Sequence, residues 1–193
     1  MKVNEIFYSL QGEGYHSGKP AVFIRLSGCN LRCPFCDTQH ESGTEMSENA
    51  IVDMATAYPT RHVVVTGGEP ALQLTATLVD ALHAAGRYVA VETNGTRGLP
   101  SNVDWVTLSP KDQWLGPAAT PVLDSADELK VVYDGDHTPD SYSHIAVRHR
   151  FLQPCDTGDA TRNARITAAT VDYIKQHPEW RLSLQIHKLI NIA

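Results

Sequence analysis

The chain has 193 residues, 42% of them hydrophobic and 20% charged, which suits a single domain spanning 1–193 with a buried core. No stretch approaches the ~20 consecutive apolar residues a membrane span needs, and Met1-Lys2-Val3-Asn4-Glu5 begins no secretory signal, so a cytoplasmic protein is expected. Lys and Arg number 16 against 22 Asp and Glu, for a formal net charge of −6 with no basic run, which argues against binding nucleic acid and favours a small-molecule substrate.

Apolar runs alternate with amphipathic stretches along the chain, the pattern of an α/β protein. Strands are expected at Ala21–Leu26, His62–Val65, Tyr88–Glu92, Trp105–Leu108, Leu129–Tyr133, Arg150–Gln153 and Leu182–Ile186. Helices are expected from about Ser47, as N-cap, to Tyr58, from Leu72 to Ala85 with Gly86 as the stop, and from Arg162 to His177, ended by Pro178. Near-continuous apolar strands joined by crossover helices predict a parallel sheet. A closed eight-fold barrel takes ~250 residues, so the expected fold is an incomplete TIM-like barrel of about six parallel strands with about three helices. The polar segment 134–142, with Gly135 and Pro139, reads as an exposed loop.

Ligands in such sheets sit at the carboxyl ends of the strands. Directly after the first expected strand come Cys29, Cys33 and Cys36, spaced C-x3-C-x2-C. In a chain without an export signal, clustered cysteines read as metal ligands rather than disulfides. Three thiolates on an iron–sulfur cubane leave one iron open to a reactive ligand. The alternative is a closed zinc site, completed as Cys3His by His40.

After the second strand, Thr66-Gly67-Gly68-Glu69-Pro70 offers two glycines that let a ligand approach the backbone, and Glu69 as an acceptor for an ammonium group. The same residues also read as a tight strand-to-helix turn opened by Pro70. Gln11-Gly12-Glu13-Gly14 is either a surface turn or a donor–acceptor set for an amidine-like edge. Arg25, charged inside an apolar strand, needs a partner, either a structural carboxylate or one on a ligand. Thr38 alone reads as a helix cap. Cys155 stands apart as a small buried hydrophobe, and His16, His62, His83, His137, His144, His149 and His177 are scattered and expected to be solvated.

The cysteine motif resembles that of the radical S-adenosylmethionine (SAM) superfamily. Taken in order, Glu5 to Gly14, Gly28 to Thr38, Thr66 to Pro70, Glu92 to Gly95, Ser109 to Lys111, Gln153-Pro154 and His187 to Ala193 resemble the 7-carboxy-7-deazaguanine synthase family from about residue 3 onward. The short form of the cysteine motif is kept, where some members carry an insertion. The resemblance implies a [4Fe-4S] cluster on Cys29, Cys33 and Cys36, whose open iron chelates SAM to yield a 5′-deoxyadenosyl radical. It places Phe35, Cys36, Asp37, Gly68, Ser109, Pro110, Lys111, Gln153, Pro154, Cys155 and Asp156 along SAM. Leu10, Gln11, Gly12, Glu13, Arg25, Thr66 and the C-terminal Ala193 fall at the substrate, and Thr38 on a Mg2+ ion.

Ala193 stands where proline is common, and His187 opens a segment that folds back toward the site. The implied reaction converts 6-carboxy-5,6,7,8-tetrahydropterin to 7-carboxy-7-deazaguanine with loss of ammonia, for queuosine synthesis. A flavodoxin or ferredoxin-type reductant and a homodimer are implied as partners. Two other readings stay open at this point: a radical SAM activase acting on a partner protein's glycine, and a zinc-binding interaction module.

Overall fold

Ala21 to Ile24 and Val63-Val64-Val65 are buried on both faces, a condition that a parallel sheet covered on both sides satisfies. A computed structural model, which describes residues 1–192, gives the order β1 (Lys2–Leu10), β2 (Pro20–Leu26), β3 (Thr44–Glu45), α1 (Glu48–Thr56), β4 (His62–Gly67), α2 (Ala76–Ala84), β5 (Tyr88–Thr93), β6 (Trp105–Leu108), α3 (Asp112–Leu115), β7 (Ser125–Tyr133), β8 (Ala146–Pro154), α4 (Ala160–Gln176), β9 (Trp180–Leu182) and α5 (Ile186–Ile190). The strands form one sheet in the order β3-β1-β2-β4-β5-β6-β7-β8-β9. From β2 onward every pairing is parallel, and only β1 runs antiparallel, to β2 and β3. The sheet ends at β3 and β9 without closing, which makes it a partial barrel.

Alternation along each strand sorts side chains into two layers. Val22, Ile24, Leu26, Val63, Val65, Val89 and Val91 face outward onto Ile51 and Ala55 of α1 and Leu78, Val79 and Leu82 of α2. Leu129, Val131, Tyr133 and Leu152 do the same against Ala169, Tyr173 and Ile174 of α4. The three long helices start on side-chain caps: Ser47, Thr75 and Asp159 accept from the backbone N–H groups of Ala50, Leu78 and Arg162 at 3.2, 3.1 and 2.8 Å.

The inward residues form tiers. Phe23, Val64 and Ala90 make an apolar middle, with Phe7 stacked on its register partner Phe23 at 4.9 Å. Two residues further along each strand come Arg25, Thr66 and Glu92 at the carboxyl end. Toward the amino ends lies a floor of rings. His62 stacks on Tyr88, Tyr15 stacks on Trp105 and His149, and His16 meets both His62 and Trp105 at 4.6 Å.

Several expectations need correction. Among the described residues seven strands run parallel, close to the expected six, and two short helices, α3 and α5, join the three long ones. The last strand is Trp180–Leu182, not Leu182–Ile186, because the chain leaves the sheet at Ser183, whose hydroxyl turns to Gln153 at 3.1 Å. The second helix begins only at Ala76. The Pro70–Leu72 turn is a separate 3-10 element, and Thr75 caps α2 itself. Strand β1 escapes the sequence pattern because Asn4, Glu5 and Ser9 break its apolar run, the first two at a register shift between Val3 and Glu5. His16, His62 and His149 are not incidental, since β4 and β8 aim His62 and His149 inward at the same spacing as Val64 and Phe151. The 134–142 loop is not wholly exposed either: Tyr142 is 2% exposed and donates to Asp112 Oδ1 at 2.6 Å.

Burial, with Lys19 nearby, holds His62 near pKa 3 and His16 near 4, against an ordinary 6.5. Both rings are therefore neutral in the fold, and neither nitrogen of His62 has a hydrogen-bond partner. Unfolded chains take up these protons below about pH 6.5, so this part of the stability is present above that pH and lost as pH falls toward 4 and 3. Thermal melts of His62→Phe should show a higher midpoint at pH 7 and a flatter decline between pH 6.5 and 4 than the unaltered protein. An equally steep decline would show that the buried ring does not set the acid limb.

Candidate active site

At the carboxyl end of the barrel the loops after β2 and β4 lie against each other. Gly68 N donates to Leu26 O at 2.9 Å and Glu69 N to Gly28 O at 2.8 Å. Gly67 adopts φ +113°, and a Cβ on Gly68 would fall 1.9 Å from the Gly28 carbonyl oxygen, so no side chain fits there. Gln73 fastens the pair by donating to Ser27 O at 2.6 Å and accepting from Lys2 N at 2.7 Å. Glu69 is not a free acceptor for a ligand. Buried to 1% exposure, its carboxylate receives Ala71 N, Thr93 Oγ1 and Asn94 N at 2.9, 2.7 and 2.7 Å, which braces the loop after β5.

Cys29, Cys33 and Cys36 line the cavity between these loops as free thiols, the first two half-buried and the third exposed. Leu31 N donates to Cys29 Sγ at 3.4 Å and Cys36 N to Cys33 O at 3.1 Å, which folds the loop into tight turns. Burial raises the Cys29 and Cys33 thiols above their ordinary range, so a bound metal must supply the charge that keeps them as thiolates. Among the described residues no three His, Cys, Asp or Glu side chains are drawn together as around one ion, and this holds for the three thiols with or without His40. His40 contributes its carbonyl instead, accepting from Gly28 N at 2.7 Å. Three free thiols on one loop, facing one cavity, fit a cluster whose irons are separate corners rather than a single point.

Deeper in the cavity a polar network crosses the barrel. Gln11 is 8% exposed and donates through Nε2 to Glu92 Oε1 at 2.9 Å, while Thr66 Oγ1 donates to Glu92 Oε2 at 3.4 Å. Glu13 forms a buried ion pair with Lys130, whose Nζ also lies 3.8 Å from Glu92 Oε1. Burial alone would raise the Glu13 carboxyl, but the Lys130 ammonium, with Gln185 and His187 nearby, holds it down at about 2. Burial would likewise lower Lys130, yet Glu13, Glu92 and Glu128 raise it, so it keeps its charge. Glu128, one tier below, has the opposite balance: burial pushes it up to about 7 against the Lys130 ammonium and a 3.0 Å hydrogen bond from Tyr15 N.

Arg25 Nε sits 2.9 Å from Glu5 Oε1, its Nη1 lies 3.5 Å from Thr38 Oγ1, and the guanidinium covers the Phe7 ring at 5.3 Å. Around the opposite wall, Lys111 Nζ donates to Ser109 Oγ at 2.6 Å, and burial lowers its pKa to about 8. Phe35 meets Trp114 edge-on at 4.6 Å. Cys155, 4% exposed, packs with Val132 and Ile166 while still lining the cavity.

The cavity measures about 870 Å³ and is lined by every site residue expected from the sequence except two: Pro110, which is buried beside Ser109, and Ala193, which lies outside the described residues. Sequence reasoning assigned no role to Glu92, Lys130, Gln185 or Lys188, all of which line it. Lys130 carried the same signal as Arg25, a charge inside an apolar strand.

The radical SAM superfamily profile matches residues 23–111. A 7-carboxy-7-deazaguanine synthase of Bacteroides thetaiotaomicron is 54% identical to the chain over 192 residues, covering 99% of this chain and 98% of its own. The chain belongs to the 7-carboxy-7-deazaguanine synthase family. Crystalline QueE from Escherichia coli matches with a TM-score of 0.73 at 30% identity over 96% of this chain and 94% of that one. SuiB of Streptococcus suis, bound to the precursor peptide SuiA, shares the fold alone, at 12% identity and a TM-score of 0.53. As a member of this radical SAM family, the chain is an enzyme that uses a [4Fe-4S] cluster and SAM on a small-molecule substrate, and the protein-activase alternative is set aside. Among the described residues no helix is long and apolar enough to cross a membrane.

Two variants test this architecture. Gly68→Ala pushes a methyl group into the Gly28 carbonyl, so the reconstituted protein should retain its fold by circular dichroism but bind less iron per chain; unchanged iron content would refute the close-packed loops. Lys130→Met leaves Glu13 buried without its partner and should cost about 3–5 kcal/mol in urea melts, much of it recovered when Glu13→Gln is added. Equal losses in the single and double variants would mean the pair is not what the stability senses.

Proposed function

We propose that the chain converts 6-carboxy-5,6,7,8-tetrahydropterin to 7-carboxy-7-deazaguanine and ammonia, in queuosine synthesis. What carries the reading is the single cavity of about 870 Å³ into which the three cysteine thiols and the Gln11, Arg25, Thr66 and Glu92 side chains all open. That volume lies at the upper end for one drug-sized ligand, in keeping with a cofactor and a small heterocycle held side by side. Product plus ammonia has the same atoms and electrons as the substrate, so no net oxidant is consumed.

Cys29, Cys33 and Cys36 would hold the cluster, with SAM running past Phe35, Asp37, Gly68, Ser109 to Lys111 and Gln153 to Asp156. When bound, cluster and SAM supply one-electron cleavage and hydrogen abstraction from C6 of the pterin, after which SAM is regenerated. The chain's own part is aim and exclusion of solvent. Gln11 presents an amide and Glu92 a carboxylate to the amidine-like edge of the ring, and Thr66 orients Glu92 by hydrogen bonding. Leu10, Gly12 and Glu13 would complete that wall, and Ala193, at the chain end, would reach the substrate from the other side.

Arg25 and Thr38 stand together, 3.5 Å apart, where a ring carboxylate would be gripped by the guanidinium and by a Mg2+ ion on the threonine hydroxyl. Magnesium keeps most of its waters, so one protein ligand is consistent with such a site. Turnover would draw its electron from a flavodoxin or ferredoxin-type protein, and the working form would be a homodimer in the cytoplasm.

Reconstituted enzyme given SAM, reductant, Mg2+ and pterin deuterated at C6 should yield the deazaguanine, with the label recovered in SAM or 5′-deoxyadenosine. Label retained at the product carbon, or no product, would end the proposal. Arg25→Met should raise KM for the carboxylated pterin roughly 10- to 100-fold, the worth of a charged hydrogen-bonded pair. An unchanged KM would return Arg25 to a purely structural pairing with Glu5.

A further inference from the structure

The segment after β9 does not trail away from the barrel. Ser183 Oγ accepts from Gly14 N at 3.0 Å, Ile186 N donates to Gly12 O at 3.0 Å, and a Cβ on Gly12 would lie 2.2 Å from His187 Nδ1, so the segment lies flat against the loop that follows β1. On α5, Lys188 points back over the cavity mouth. Its Nζ lies 2.7 Å from Asp37 Oδ2, 2.9 Å from Asp156 Oδ2 and 2.9 Å from Gln185 Oε1, which uses all three ammonium protons.

Asp37 belongs to the cysteine loop after β2, and Asp156 to the loop after β8, toward the other end of the sheet. Gln185 extends the connection by donating to Glu13 Oε1 at 3.0 Å and to Asp37 Oδ2 at 3.4 Å. An unbroken polar chain therefore runs from Glu13, at the substrate wall, through Gln185 and Asp37 to Lys188 and Asp156.

We propose that Lys188 is a positioning residue: by bridging Asp37 and Asp156 it clasps the C-terminal segment over the SAM end of the cavity and holds the two SAM-facing loops at a fixed spacing. The proposal rests on the functional reading above for what the cavity holds, but the clasp itself is a property of the chain. Each contact is partly exposed and worth little alone. Together they join three segments, and without the ammonium two carboxylates of like charge face each other. That repulsion acts on the loop carrying Cys36, so loss of the clasp loosens cofactor seating rather than the barrel.

Lys188 touches neither the thiols nor the substrate wall, and a change there leaves the core intact. The experiment compares the unaltered chain, Lys188→Met and Lys188→Arg. Hydrogen exchange on the protein without substrate should rise in Lys188→Met across 183–192 and 35–40, while exchange in β4 to β7 stays as it was. In the reconstituted enzyme the same variant should raise KM for SAM about three- to tenfold. It should also release more 5′-deoxyadenosine per product formed, as a loosely held mouth admits solvent. Lys188→Arg should recover most of both effects, and raising ionic strength should weaken SAM binding in the unaltered enzyme but not in Lys188→Met.

Unchanged exchange at 183–192, or unchanged KM for SAM together with unchanged coupling, overturns the clasp. If the unaltered enzyme forms no deazaguanine, the functional reading fails while the exchange comparison still decides the clasp.

Discussion

A sheet that stops short of closing must hold its two ends together by other means, and here the Glu13–Lys130 ion pair does this. Glu13 lies on the loop after β1, next to one end of the sheet, and Lys130 on β7, toward the other. Both side chains are withdrawn from water, so the pair is strong in place and costly if halved. Around it the loop after β1 makes two more connections across the gap, Tyr15 N to Glu128 and Gly14 N to Ser183. The contacts that substitute for missing barrel strands are thus the ones that bring Gln11, Glu13 and Glu92 to one wall. Closure and substrate aim share a cause.

This arrangement explains why polar groups can occupy a barrel interior at all. On β2, β4 and β5 the inward positions are apolar at the middle tier, at Phe23, Val64 and Ala90, and polar above it, where Arg25, Thr66 and Glu92 line the open cavity. The charges then set one another. Lys130 holds Glu13 ionised, while Glu128, a tier deeper and with less access to that ammonium, has its pKa pushed up to about 7. Two carboxyl groups on either side of one ammonium thus differ in protonation because they differ in burial and partners.

Much of this was legible in the sequence, for reasons that differ by element. The parallel strands announced themselves because Val63-Val64-Val65 and Val131-Val132 are buried on both faces and need no alternation. The cysteine loop was legible because C-x3-C-x2-C puts three thiols on one short turn. Strand β1 was not, since Asn4, Glu5 and Ser9 break its apolar run and Val3 is its one buried residue. The histidines of the floor were illegible for a related reason: His62 and His149 sit toward the amino ends of their strands, where a sequence cannot say whether solvent or a ring lies opposite. Lys130 stood in plain view inside an apolar strand, but its partner is 117 residues away, and no local pattern links the two.

The long-range pairings also say why the trimmed barrel suffices for chemistry that larger barrels perform. A cofactor that generates its own reactive species asks the protein for placement, not for acid or base groups of tuned strength. Placement needs short, braced loops, and two kinds of contact brace them here: backbone against backbone at Gly68 on Gly28, and the buried Glu69 carboxylate on Thr93 and Asn94. Each contact spans adjacent strands, so strands beyond β9 would add nothing to the loops that hold the thiols. Only the mouth is left uncovered by losing them. The turn of the chain at Ser183 sends the C-terminal segment into that space, so a missing wall of the barrel is replaced by a strap.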